Sequence, residues 1–142
     1  MQFQITSIVA AIVATLTISS VTAAPASAGH DLVKRGHSYS GTATWYKPAT
    51  EGGPEAACNG EHIDNDSQIV ALNADQYGDL DSKSKWCGKK IRIKGEKGTA
   101  TATILDACPE CSEGDLDLTP SLFKKVVGDM DAGVGDITWE VI

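Results

Sequence analysis

Four cysteines in 142 residues constrain this chain more than any other feature. A domain this short buries a modest core, so cross-links carry a large share of its stability. Which cross-link they make depends on the compartment. Residues 5–21 run apolar and uncharged, broken by Thr15, Thr17, Ser19 and Ser20, and end in small residues around Ala24, Ala26 and Ala28. That pattern predicts a secretory signal peptide over residues 1–24, with cleavage between 20 and 28. A membrane span needs about 20 apolar residues, and this run is shorter and interrupted by hydroxyls. Lys34-Arg35, just before Gly36, reads as the end of a propeptide over residues 25–35, of the kind cut by a kexin-type protease in a fungal secretory pathway. The folded domain is then expected over residues 36–142, in an extracellular, oxidising setting.

In that setting an even cysteine count reads as disulfides. Of the three pairings that four cysteines allow, the expected one joins Cys58 to Cys87 and Cys108 to Cys111. A zinc site would need a second CxxC or histidines at ligand spacing, and His37 and His62 show none. A redox CxxC would open a helix, whereas Ser112-Glu113-Gly114 reads as a turn. No metal and no cofactor is expected.

The balance of 12 Lys+Arg against 19 Asp+Glu, a net charge of -7, excludes a general nucleic-acid binder. The bases are unevenly spread. Lys83, Lys85, Lys89, Lys90, Arg92, Lys94 and Lys97 crowd one short stretch, which is either a solvated strand face or a contact for an anionic glycan. Asn65-Asp66-Ser67 is a sequon for N-glycosylation in a polar loop.

Along the domain, Gly41–Tyr46 alternates as a strand, and Lys47–Asp66 forms a long Pro/Gly/Asn-rich loop. Gln68–Leu72 reads as a buried strand, and Asn73 caps a short helix over 74–77. Lys89–Lys94 and Thr99–Leu105 alternate around Gly95-Glu96-Lys97-Gly98 as a hairpin. Leu116–Leu118 is a short strand, Thr119-Pro120 starts a helix over Ser121–Val127, and Ile137–Ile142 is a final strand packing Trp139 inside. A strand leading into a capped helix thus occurs twice. Closure into a barrel would remove the edges that such short strands expose.

Five segments in this order carry a family resemblance: Gly41-Thr42-Ala43-Thr44-Trp45-Tyr46, Ile69-Val70-Ala71-Leu72-Asn73, Cys87-Gly88-Lys89, Asp106-Ala107-Cys108-Pro109-Glu110-Cys111, and Gly114-Asp115-Leu116-Asp117-Leu118-Thr119-Pro120. Together they resemble RlpA-like and expansin-like proteins, particularly the single-domain fungal loosenins. The resemblance implies a mainly β fold, a six-stranded double-psi β-barrel with two short helices. It also implies a groove for cell-wall polysaccharide of cellulose, chitin or pectin type, lined by Thr44, Trp45 and Tyr46, with Asp117 and Asp106 as its active carboxylates.

Glycoside hydrolysis needs two carboxylates at the scissile bond. Related barrel-fold endoglucanases carry an Asp just after the first-strand aromatics, where this chain has Lys47-Pro48. The expected function is therefore binding and loosening of wall polysaccharide without hydrolysis, by a monomer with no nucleic-acid or membrane partner. A second class stays open, because small barrels of the resembled family include a papain inhibitor. In that class the protein would plug a cysteine protease or engage a host protein through its Pro48–Asp66 loop.

Overall fold

The computed structural model describes residues 36–142; the signal and propeptide segments expected over 1–35 lie outside the described residues. Six strands and two short helices follow in the order β1 (Ser38–Trp45), β2 (Ile69–Asn73), α1 (Ala74–Tyr77), β3 (Lys90–Gly95), β4 (Thr99–Cys108), β5 (Leu116–Leu118), α2 (Pro120–Val126) and β6 (Gly135–Val141). The strands close into a barrel in the order β1-β5-β2-β4-β3-β6. β1 runs parallel to β5 and β2 parallel to β4, while the remaining neighbours are antiparallel. Closure leaves no strand in the ring with an unpaired edge.

Alternation decides which side chains fill the barrel. Ile91 and Ile93 of β3, Ala100, Ala102 and Ile104 of β4, Leu116 and Leu118 of β5, and Ile137 and Trp139 of β6 are buried. The residues between them face outward. Leu122, Phe123 and Val126 of α2 add to the same core. Gly41 and Gly114 meet backbone to backbone, so a Cβ on either would strike the other segment's main chain. That approach lets β1 cross beside the loop entering β5.

Both expected disulfides are present, Cys58–Cys87 and Cys108–Cys111. The first spans a sequence separation of 29, and on the chain-entropy model it contributes roughly 3–4 kcal/mol. It fastens the 47–66 loop to the barrel, assisted by the Cys58 N–H, which donates to the Leu105 carbonyl at 2.9 Å.

Three expectations shift in detail. β1 begins at Ser38, earlier than the sequence pattern indicates, because Ser38 and Tyr39 pair with Glu140 and Trp139 of β6. β4 runs on to Cys108 because its last residues pair with Leu72 and Asn73 of β2. Thr119 occupies the N-cap of α2, but its hydroxyl donates to the Ser67 carbonyl at 2.7 Å and not into the helix. Asn73, by contrast, caps α1 through its side chain, accepting from the Gln76 N–H at 2.9 Å.

Candidate functional site

The pairing register builds a line of side chains across the outside of the barrel. Thr44 of β1 pairs with Asp117 of β5, Asp117 with Ala71 of β2, and Ala71 with Asp106 of β4. Asp117 faces outward because its neighbours Leu116 and Leu118 point into the core. Asp106 faces outward for a different reason. On β4 the outward positions are Thr99, Thr101 and Thr103, so unbroken alternation would turn residue 106 inward. Between Val70 and Ala71 the register jumps from Ile104 to Asp106, leaving Leu105 unpaired. This bulge buries Ile104 and Leu105 in succession and turns Asp106 to the outer face.

The result is a cleft of about 560 Å³. Ala71 forms its floor, Asp106 and Asp117 its sides, and Tyr46, Glu51 and Glu110 its rim. Thr44 Oγ1 donates to Asp117 Oδ1 at 2.7 Å. Tyr46 Oη donates to Asp106 Oδ2 at 2.7 Å. Asp106 Oδ1 accepts the backbone N–H groups of Ala57 and Ala107, each at 3.0 Å. Asp106 therefore ties the first-strand aromatic, the long loop and its own strand end together, with three donors already on its carboxylate.

The two aspartates differ in electrostatics. Burial raises the Asp117 pKa above the ordinary carboxylate value, and the charges of Glu51 and Asp106 push the same way. The Thr44 hydroxyl and the Leu118 backbone N–H oppose them. The neutral form of Asp117 therefore persists to a higher pH than that of an ordinary aspartate. Burial first, then the hydrogen bond to Asp106, raises the Tyr46 phenol pKa far above its ordinary value, so it stays a donor.

Of the residues expected in the groove, Thr44, Tyr46, Asp106 and Asp117 come together. Trp45 does not join them. One residue out of phase with Thr44 and Tyr46, it turns to the barrel end, where Nε1 donates to the Met130 carbonyl at 3.2 Å and the ring lies 6.5 Å from that of Phe123. Asn65 sits exposed in the turn held by Ser67, whose backbone N–H donates to the Asp64 carbonyl at 3.2 Å.

Sequence reasoning missed Glu51 and Ala71. The Thr50 and Glu51 N–H groups both donate to the Lys47 carbonyl, and Glu51 Oε2 accepts the Lys47 N–H at 2.9 Å. This turn brings Glu51 back beside Asp117, so a carboxylate follows the first-strand aromatics after all, displaced along the chain from the expected position. Nothing in a Pro/Gly-rich loop marks such a turn in advance. Ala71 carried a signal, as the smallest side chain in Ile69–Leu72.

No family model matches the chain. Expansin-YoaJ of Bacillus subtilis is 38% identical over 82 residues, 56% of this chain and 34% of that protein. The chain spans 34% of the length of that protein and 25% of the length of an allergen Asp f 7 homolog of Arthroderma benhamiae, to which it is 38% identical over 72 residues. Among solved structures, a mutant Clavibacter michiganensis expansin in complex with cellohexaose superposes with a TM-score of 0.62 at 28% identity, covering 75% of this chain and 50% of that one. The Streptomyces papain inhibitor superposes with a TM-score of 0.63 at 28% identity, covering 75% of this chain and 96% of that one.

Proposed function

We propose that this chain, an expansin-like double-psi β-barrel protein, is secreted and loosens cell-wall polysaccharide by binding it without hydrolysis. The observation that carries this reading is the transverse row Thr44–Asp117–Ala71–Asp106, an open strip with a small-residue floor and polar walls. A glycan strand laid along it meets hydroxyl and carboxyl groups at the walls and the Tyr46 ring at the rim, and such rings pack against the apolar face of a sugar. The similarity to an expansin that binds cellohexaose supports a β-glucan ligand.

Asp117 is the group suited to act. Burial keeps its acid form to a higher pH than an ordinary aspartate, and in that form it donates a hydrogen bond to a glycosidic or hydroxyl oxygen and competes with the contacts between packed glycan chains. Hydrolysis needs in addition a base that activates water. Asp106 is committed to three donors, and Glu51 is an exposed carboxylate anchored on the Lys47 N–H. Asp106 is thus not a free base, and Glu51 lies open to solvent.

Replacing Asp117 with Asn keeps the shape and removes the acid. The native protein is expected to extend or swell wall material while releasing no reducing sugar, and Asp117→Asn is expected to lose the extension. Full loosening by Asp117→Asn would refute the role of the acid. Rapid sugar release abolished by Glu51→Gln would make the protein a glycosidase with Glu51 as its second carboxylate.

The papain-inhibitor similarity favours a second reading, since that neighbour matches this domain over nearly its whole length. The 47–66 loop is preorganised for such a role by the Cys58–Cys87 bridge, the Glu55–His62 pairing and the Ala57–Asp106 hydrogen bond. Inhibition of a papain-like protease, lost when the loop is altered and kept in Asp117→Asn, would establish it.

A further inference from the structure

The charge of the barrel is segregated. Seven of the ten bases in residues 36–142 lie between Lys83 and Lys97, where Glu96 is the only acid; the rest of the domain holds three bases and seventeen acids. β3 converts that stretch into a straight row, because Ile91 and Ile93 enter the core and Lys90, Arg92 and Lys94 face outward. Alternate residues of a strand stand about 6.6–6.8 Å apart, so the row presents cations at a regular interval. At the hairpin the row continues, since the Lys97 N–H donates to the Val126 carbonyl at 2.9 Å beside the exposed Lys124 and Lys125 of α2.

The lysines of the row are unpaired among the described residues. Arg92 pairs with Glu140 at 2.9 Å, and no other ion pair forms among the described residues. Across the ladder, Lys90, Arg92 and Lys94 face Thr103, Thr101 and Thr99 of β4, and Lys94 faces Thr138 of β6. Hydroxyls therefore line the β4 side of the row, while the β6 side sets Glu140 beside Arg92 and Thr138 beside Lys94. No outward aromatic ring stands among these positions to stack a nucleobase, and the one ring in this part of β6, Trp139, is buried.

We propose that this face is a second binding surface, whose ligand is a polyuronate chain of pectin type. Such a polymer repeats a carboxylate and sugar hydroxyls along its length, matching a line of ammonium and guanidinium groups bordered by threonines. In the closed ring β3 lies three places from β5, on the opposite side of the barrel from Asp117. The protein thus presents one face to a neutral glycan and the other to an acidic one. This second contact stands whether or not the Asp117 cleft binds a neutral glycan.

The test is binding of de-esterified polygalacturonate and of its fully methyl-esterified form, by the native protein and by Lys90→Gln/Lys94→Gln. The native protein is expected to bind the acidic polymer, more weakly as salt rises, and not the ester. The double variant should bind about tenfold more weakly, on the scale of two exposed ion pairs. Thr101→Glu, which places an acid in the row and touches no core position, should weaken binding likewise, and Asp117→Asn should bind as the native protein does. Unchanged binding by both row variants, or equal binding of the methyl ester, overturns the proposal. So does equally tight capture of anionic phospholipid vesicles or duplex DNA, since the face would then read charge alone.

Discussion

Asp117 shows how one residue's surroundings set its chemistry. It lies between two core leucines, accepts from Thr44 and stands near two other acids, and burial outweighs the hydrogen bonds in raising its pKa. A carboxyl whose pKa is raised on folding is ionised more readily in the unfolded chain, so its contribution to stability falls as pH climbs from the ordinary carboxylate value through the raised one. Asp117→Asn removes that penalty. Thermal melts should find the variant more stable than the native protein at neutral pH, with the gap closing as pH drops below about 4, where an unperturbed Asp is protonated. A native advantage that grows with pH would mean Asp117 is stabilised as an anion. Loosening by the native protein should decline over the same rise in pH, as the acid is lost.

At the scale of elements, the long loop and the β4 bulge decide whether the cleft exists. Cys58–Cys87 pins the loop, and Asp106 pins it again through Ala57. Removing the bridge with Cys58→Ser/Cys87→Ser should cost roughly 3–4 kcal/mol. Denaturant titration against the native protein measures this cost; a loss near zero would mean the loop is held by its hydrogen bonds alone. The strands themselves were legible in the chain. Lys90-Ile91-Arg92-Ile93-Lys94 alternates too cleanly to be anything but a half-buried strand, and Asn73 announced the cap it makes. The bulge was legible only in part: Thr-Ala-Thr-Ala-Thr gives way to Ile104-Leu105, a break in period that does not say which side residue 106 will face. The family resemblance places Trp45 in the groove with its neighbours, yet period-2 geometry puts adjacent residues on opposite faces. Glu51 was invisible because its position depends on a loop turn closed by backbone hydrogen bonds.

At the scale of the whole molecule, closure of six short strands lets a domain of this size carry two distinct outer faces. Pairing of β5 between β1 and β2 sets Thr44, Asp117 and Ala71 side by side, and β2–β4 pairing adds Asp106. The opposite side of the ring is given to the basic β3 row. A neutral glycan is expected to enter the carboxylate cleft and no other part of the surface. Amide chemical-shift mapping with cellohexaose addresses it directly. Saturable shifts are expected, centred on Thr44, Tyr46, Ala71, Ala107 and Asp117, with β3 silent. Shifts confined to the 53–66 part of the loop or to β3, or none at millimolar ligand where even weak sites fill, would contradict it.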